Sequence, residues 1–145
     1  MQRFSSALAL AAVGVLALGG ALFAQGAVKK PEPKRPQLTL KATPNSGMVP
    51  VRIAGLAELK GGDDDFEDYY CPTIEWNWGD GTISESSNDC DPYEPGKSQI
   101  KRRYTVDHQY KNPGNFRVYL RLKKGPKIVA VANTAIQVRP GLMQP

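Results

Sequence analysis

Alternation of apolar and polar residues with a period of two dominates residues 37–139. In the clearest stretch, Asn115–Lys123, every second residue is apolar: Phe116, Val118, Leu120 and Leu122. Successive side chains of a strand point to opposite faces of a sheet, so this pattern predicts strands with one buried face. The same period recurs in four other segments, Gln37–Thr43, Val49–Ile53, Thr73–Trp78 and Arg102–Tyr110. No segment has the spacing of an amphipathic helix.

The last strand, predicted over Lys127–Val138, differs from the others. It is rich in β-branched and small residues and carries no charge between Lys127 and Arg139, so we expect it to be covered on both faces. Turn-forming residues separate the strands at Pro44–Gly47, Asp80–Gly81 and Pro113–Gly114. The polar segment Ser84–Ser98 is expected to be a loop or an irregular sheet edge. Six or seven short strands without a helix predict an all-β, two-sheet antiparallel β-sandwich of about seven strands.

The N-terminus has the organisation of a secretory signal peptide, predicted over residues 1–24. Arg3 supplies a basic start, and Ala7–Ala24 contains 18 residues without a polar side chain, ending in small residues. Cleavage is expected near Ala24, with Ala27 as an alternative. Because 18 apolar residues also approach the length of a membrane span, an uncleaved membrane anchor is the competing interpretation. Both interpretations export the rest of the chain, to the periplasm or the extracellular space.

Three further segments follow. Residues 25–36 include KKPEPKRP, whose prolines and charges predict an extended linker. Residues 37–139 form the predicted sandwich domain, and residues 140–145 a flexible tail. In an oxidising compartment the two cysteines, Cys71 and Cys90, predict one disulfide. No metal site is expected from them, because neither has a cysteine or histidine partner nearby.

The segment WNWGDGT, Trp76–Thr82, could line a site or belong to the core. Alternation points both tryptophans inward, where each indole would bury about 200 Å². Asp80-Gly81 is a strong hairpin-turn signal, and Asp80 has no paired base or nucleophile in the sequence. The only histidine, His108, falls on the inward face beside Tyr110 and before a corner. We therefore expect structural roles for this segment and no catalytic residue.

These residues resemble the PKD (polycystic kidney disease) domain. That family combines a Trp, an aromatic residue and Gly-Asp-Gly with a later His-x-Tyr, a Pro-Gly and an aromatic-x-Val-x-Leu strand, in this order. The resemblance covers about residues 37–138 and implies an immunoglobulin-like (PKD-type) sandwich, usually an extracellular module without enzymatic activity. The motif residues would then be structural: Trp76, Trp78, Gly79, Asp80, Gly81, His108, Tyr110, Pro113 and Gly114. The connection from Thr82 to His108, which carries Cys90, is longer than the family's usual one.

Charge is distributed unevenly. Glu58–Glu94 holds 12 acidic residues and one basic, and Lys97–Arg139 holds 11 basic and one acidic, so the net charge of +5 conceals a polarised chain. The densest acidic run offers weak calcium-ligand candidates: Asp63, Asp64, Asp65, Glu67 and Asp68. Its spacing does not match the twelve-residue calcium loop, and a solvated, self-repelling loop is the simpler interpretation.

Candidate binding residues share the outward face of the Phe116 strand: Arg117, Tyr119, Arg121 and Lys123. The sequence thus predicts a non-catalytic exported interaction module that contacts a protein or a polysaccharide of the cell envelope. The alternative is a small structural or assembly component of an envelope or surface complex, docking through opposed acidic and basic surfaces. No cofactor is expected, and export makes nucleic acid an unsuitable partner for the basic half.

Overall fold

The structure is a computed structural model that describes Gly26 and residues 29–142. The predicted signal peptide and the last three residues of the predicted tail lie outside these residues. All strands belong to the unit Glu32–Pro145. Within the described part of the chain, no helix is long and apolar enough to cross a membrane.

Eight strands make up the described fold: β1 (Gln37–Thr43), β2 (Ser46–Met48), β3 (Val51–Lys60), β4 (Thr73–Asn77), β5 (Ile83–Ser86), β6 (Arg103–Tyr110), β7 (Gly114–Lys124) and β8 (Lys127–Arg139). The single helical turn among the described residues is a 3₁₀ segment, Glu67–Tyr69. It lies in the acidic connection between β3 and β4. The bounds of β1, β4, β6, β7 and β8 lie within one or two residues of the predicted ones. Strand β3 continues to Lys60, seven residues beyond the predicted segment, and the short strand β5 occupies the start of Ser84–Ser98, which was predicted to be a loop or an irregular edge.

The strands form two sheets that face each other. One is three-stranded in the order β1-β3-β6, and the other is five-stranded in the order β2-β8-β7-β4-β5. This confirms the predicted all-β, immunoglobulin-like sandwich. One pairing departs from the antiparallel expectation, because the predicted turn Pro44–Gly47 continues into the three-residue strand β2, which pairs parallel to β8. The chain thereby passes directly from one sheet to the other along that side.

The two tryptophans lie between the sheets. Trp78 is fully buried and Trp76 is 4% exposed, and their indole rings stack with centroids 5.6 Å apart. Gly55 on β3 makes room for this pair. A Cβ atom at Gly55 would lie 2.6 Å from Cζ3 of Trp76, which is closer than any normal contact. The indoles therefore belong to the core, and their packing extends across to the opposite sheet.

The prediction that β8 is covered on both faces is wrong. Val129, Ile136 and Val138 are buried, but Ile128 and Val131 are 50% and 49% exposed on the opposite face. An uncharged strand was expected to be enclosed on both sides, whereas the described chain places nothing over its outer face. Small and neutral side chains can line an open surface as well as a core, so composition did not distinguish the two.

Two segments outside the strands are held to the domain. Cys71 and Cys90 form the predicted disulfide, which joins the long β5–β6 connection to the residues just before β4. The final residues of the predicted linker also contact the sandwich. Pro36 is fully buried, and the Arg35 guanidinium donates to the hydroxyl of Tyr69 and to the carbonyl of Val129. The last residues of the predicted linker are therefore held against the sandwich.

The close approach at Gly55 predicts a large effect from a single methyl group. Gly55→Ala should lower the free energy of unfolding by about 1–3 kcal/mol, because the indole of Trp76 must move away from its stacked position. The measurement is denaturant unfolding followed by tryptophan fluorescence. In the Trp76→Phe background the same substitution should cost less than it does alone. Equal costs in both backgrounds would contradict the proposed contact.

The disulfide predicts a second stability effect. Replacing both Cys71 and Cys90 with alanine should lower the free energy of unfolding by about 3 kcal/mol, because the denatured chain gains conformational freedom between two residues 19 apart. Urea unfolding of the double variant and of the oxidised protein measures the difference. An unchanged unfolding free energy would show that the bridge does not restrain the long connection.

Candidate functional site

The Gly-Asp-Gly hairpin after β4 is organised by the side chain of Asp80. Its Oδ1 accepts a hydrogen bond from the backbone N–H of Thr82 at 3.0 Å and another from the Thr82 hydroxyl. Gly79 has a positive φ of 78°, and a Cβ there would lie 2.7 Å from the carbonyl oxygen of Arg117. Only glycine suits both conditions. The carboxylate thus closes the turn, while Gly79 lets the turn approach β7.

His108 on β6 connects the opposite sheet to this hairpin. Its Nε2 lies 2.7 Å from Oδ2 of Asp80, and its ring stacks on Trp78 with centroids 4.5 Å apart. Tyr110 contacts the same ring edge-on and donates its hydroxyl to the carbonyl of Trp78 at 2.7 Å. Motif residues from two distant segments, Trp78 with Asp80 and His108 with Tyr110, therefore meet at one end of the sandwich, next to the corner that contains Pro113 and Gly114.

The Asp80–His108–Thr82 grouping has the residue types of a catalytic triad but the wrong connections. In a triad the carboxylate binds one imidazole nitrogen and the nucleophile the other. Here Asp80 and Thr82 both approach the same nitrogen, Nε2 of His108, at 2.7 and 3.4 Å. The Thr82 hydroxyl also donates to Asp80, so the imidazole is not placed to remove its proton. This arrangement cannot activate Thr82 as a nucleophile.

The ionisation of Asp80 follows from this geometry. Partial burial opposes the charged form, but hydrogen bonds from Thr82 and His108 outweigh it, so the pKa of the carboxyl lies below its usual value. The open cleft beside the pair, ≈ 540 Å³, is lined by residues of the same motif and corner. The charged carboxylate of Asp80 therefore interacts with Thr82 and His108 of its own chain.

The predicted calcium candidates form no shared centre. Asp64 binds the guanidinium of Arg102 at 2.6 Å, Asp65 accepts from the N–H of Gly96 at 3.0 Å, and Asp63 accepts from the N–H of Lys34. In the described residues, no group of three or more His, Cys, Asp or Glu side chains is placed to hold a metal ion. Several of these carboxylates organise the loop, and calcium binding remains a prediction of the sequence.

The outward face of the five-stranded sheet contains the four residues predicted for binding, at alternate positions on β7: Arg117, Tyr119, Arg121 and Lys123. Two of their three cations are paired within the sheet. Arg121 donates to Glu75 at 2.7 Å, and Lys123 donates to Glu75 and Glu85 at 2.8 and 2.7 Å. These hydrogen bonds from Lys123 and Arg121 hold the pKa of Glu75 below its usual value. The face is therefore less cationic than its sequence indicated.

Three exposed aliphatic side chains share this face with the half-buried Tyr119, and the sequence did not predict these three. Val131 lies opposite Arg121 and Asn133 lies opposite Tyr119, so Tyr119 and Val131 are diagonal neighbours. A register shift between Leu122 and Lys123 brings Ile128 to the same face, and Ile83 on β5 is 60% exposed at its edge. We call Ile83, Tyr119, Ile128 and Val131 the apolar face residues. Predicting this face would have required the pairing register of β7 with β8, which the sequence alone does not give.

Comparisons with known proteins concern the fold only. No family model matches the chain, and no curated protein matches it. Among solved structures it is similar to the PKD domain of a peptidase from a Thermoplasmatales archaeon, with 13% identity, a TM-score of 0.46, and coverage of 73% of this chain and 94% of that one. It is also similar to a CARDB domain from Pyrococcus furiosus in complex with di-metal ions, with 13% identity, a TM-score of 0.44, and coverage of 72% and 90%.

The Asp80 geometry predicts a pH-dependent contribution to stability. Because its folded pKa is lowered, ionised Asp80 contributes stability that is complete above the unfolded value of about 3.9 and is lost as pH falls through the folded pKa. Asp80→Asn should therefore cost about 1–2 kcal/mol at pH 7 and progressively less in acid. Asp89→Asn, in the exposed connection, is the control. An Asp80→Asn cost that stays the same between neutral and strongly acidic pH would contradict this role.

Proposed function

We propose that the protein is an exported, non-catalytic binding module that uses the outward face of its five-stranded sheet to contact another protein of the cell envelope. The observation that carries this proposal is the set of apolar face residues on that sheet. An export location is supported by the Cys71–Cys90 bridge, which requires an oxidising compartment, together with the signal peptide that the sequence predicts. A non-catalytic role is supported by the geometry of Asp80 and His108.

The composition of this face favours a protein partner over a polysaccharide. Protein interfaces combine aliphatic and aromatic side chains with arginine. Here Tyr119 is flanked by Val131 and by the guanidinium of Arg121, whose central atom lies 5.7 Å from the tyrosine ring. Sugar-binding surfaces would depend on aromatic rings for stacking, and the apolar face residues include one such ring against three aliphatic side chains. Exposed aliphatic groups gain most from burial against other apolar groups.

The alternative, docking through opposed charged surfaces, is weakened by pairing within the chain. Residues of the acidic half bind residues of the basic half in several places, as in Asp64–Arg102, Glu58–Arg103 and Glu75–Arg121. Each pair reduces the charge available for a partner. An assembly component with strong opposed surfaces would keep these groups free. The acidic and basic residues therefore contribute more to ion pairs within the fold than to contact with an external partner.

Substitutions of the apolar face residues should distinguish contact through these residues from docking through charged surfaces. The Tyr119→Ser/Val131→Ser double variant should reduce affinity for the envelope protein partner by about tenfold or more, because two central apolar contacts are lost. A photo-crosslinker at Ile128 identifies the partner in envelope extracts, and titration with that protein measures the affinity. Leu142→Ser, which removes an apolar side chain that is 84% exposed elsewhere, should have no effect.

Three outcomes would contradict the proposal. One is equal affinity of the double variant and the unaltered protein for the crosslinked partner. A second is retention of the protein on envelope polysaccharide that the double variant loses, which would establish a glycan ligand at the same face. A third is binding that disappears at moderate salt concentration and is insensitive to the apolar substitutions, which would favour docking through charged surfaces.

A further inference from the structure

Strand β6 is an edge strand with one long open side. It pairs antiparallel with β3 along its whole length, from Arg103 opposite Glu58 to Tyr110 opposite Val51. In the described residues no strand pairs with its other side. At the other edge of this sheet lies β1, from which the chain continues into β2 of the second sheet.

The register identifies the backbone groups on the open side. Leu59 donates its N–H to the carbonyl of Arg102 at 2.8 Å, which makes this a hydrogen-bonded pair. Hydrogen-bonded and non-hydrogen-bonded pairs alternate along antiparallel strands. The N–H and C=O groups that face away from β3 therefore belong to Arg103, Thr105, Asp107 and Gln109. The side chains of these four residues are all exposed, on the outer face of the sheet.

The long connection from β5 to β6 leaves this side uncovered because it is held elsewhere. Cys90 is bonded to Cys71, Tyr93 donates its hydroxyl to the carbonyl of Asp65, and Gly96 donates to the carboxylate of Asp65. These contacts hold the connection against the acidic segment before β4. A cleft of ≈ 240 Å³ remains between β5 and β6. The buried hydroxyl of Tyr104, which lines it, has no hydrogen-bond partner among the described atoms.

The exposed charges on β6 are arranged symmetrically about Thr105. Arg103 lies two residues before it and Asp107 two residues after it. If two copies of β6 pair antiparallel with Thr105 opposite Thr105, each Arg103 lies opposite the Asp107 of the other copy. In this register the free N–H and C=O groups of Arg103, Thr105 and Asp107 in one copy pair with those of Asp107, Thr105 and Arg103, respectively, in the other copy. One register thus satisfies both the hydrogen bonds and the charges.

We propose that β6 is a self-association edge, through which a second copy of this chain pairs antiparallel about Thr105. The two three-stranded sheets then join into one continuous sheet, and the interface has the two-fold symmetry of a closed dimer. Isolated charges on an edge strand usually prevent such pairing. Here charges of opposite sign lie at equal distances from the axis, so the second copy supplies the complementary charge at each position.

Both charged side chains are exposed, and the Arg103 guanidinium has enough N–H donors to bind Asp107 of a second copy while it stays paired with Glu58. The Arg103 side chain is 70% exposed and binds Glu58 of its own sheet at 2.8 Å, which holds the guanidinium on the outer face. Asp107 is exposed and has no ion-pair partner within the described part of the chain. A second copy would give Asp107 an ion-pair partner. This surface is separate from the outward face of the other sheet, so both could be occupied at once.

Charge reversal tests the proposed register. Sedimentation equilibrium of the purified protein across micromolar to millimolar concentrations should show a reversible dimer. Arg103→Asp and Asp107→Arg should each weaken dimerisation by about tenfold or more, because each places like charges opposite one another twice. The Arg103→Asp/Asp107→Arg double variant should restore dimerisation to near its original strength. Lys41→Asp, a matched change on β1, should leave it unchanged.

Amide hydrogen exchange gives a second readout. The N–H groups of Thr105 and Asp107 should become protected as protein concentration rises, whereas the already bonded N–H of Val106 should change little. A monomer at all concentrations would overturn the proposal, as would a dimer that is insensitive to both single reversals or is not restored by the double one. Tyr119→Ser/Val131→Ser should leave the dimer intact, and dissociation by that variant would assign self-association to the other face.

Discussion

The stack of three rings formed by Trp76, Trp78 and His108 is the interaction on which the rest of the fold depends. It joins the end of β4 in one sheet to β6 in the other, with successive centroids 5.6 and 4.5 Å apart. Large aromatic side chains contribute much of the apolar area that a small sandwich can bury. Gly55 provides the space, and Tyr110 bonds the backbone at Trp78. Because Trp76 and Trp78 are buried in the core, their indole rings are not accessible to a ligand.

The polar groups around this stack hold its rings in place by hydrogen bonds. Asp80 closes the hairpin through its Oδ1, which binds Thr82, and connects the hairpin to β6 through its Oδ2, which binds His108. Its hydrogen-bonding capacity is therefore used on protein atoms, and the grouping lacks the connections that general-base catalysis requires. Both proposals therefore use surfaces that the core leaves open. In the part of the chain that the structure describes, these are the outward face of the five-stranded sheet and the free side of β6.

The fold could be predicted well from sequence because its signals are local. Period-two alternation located β1, β3, β4, β6 and β7 but not the short strands β2 and β5. The Asp80-Gly81 turn fixed the hairpin, and the inward positions of Trp76 and Trp78 followed from the alternation. The surfaces could not be predicted, because they depend on which strands become neighbours. Val131 was expected to be covered, and the pairing of Lys123 with Glu75 and Glu85 across three strands carries no local signal. The open side of β6 likewise results from where the β5–β6 connection is held.

The central claim is that the indole pair is sealed between the two sheets. Iodide quenching of tryptophan fluorescence in the intact, oxidised protein tests it most directly, because the charged quencher reaches only solvent-exposed rings. The structure predicts weak quenching of both indoles, which increases to the level of free tryptophan on unfolding in urea. Quenching of the folded protein as strong as that of the unfolded chain would contradict the architecture and the structural role of the motif together.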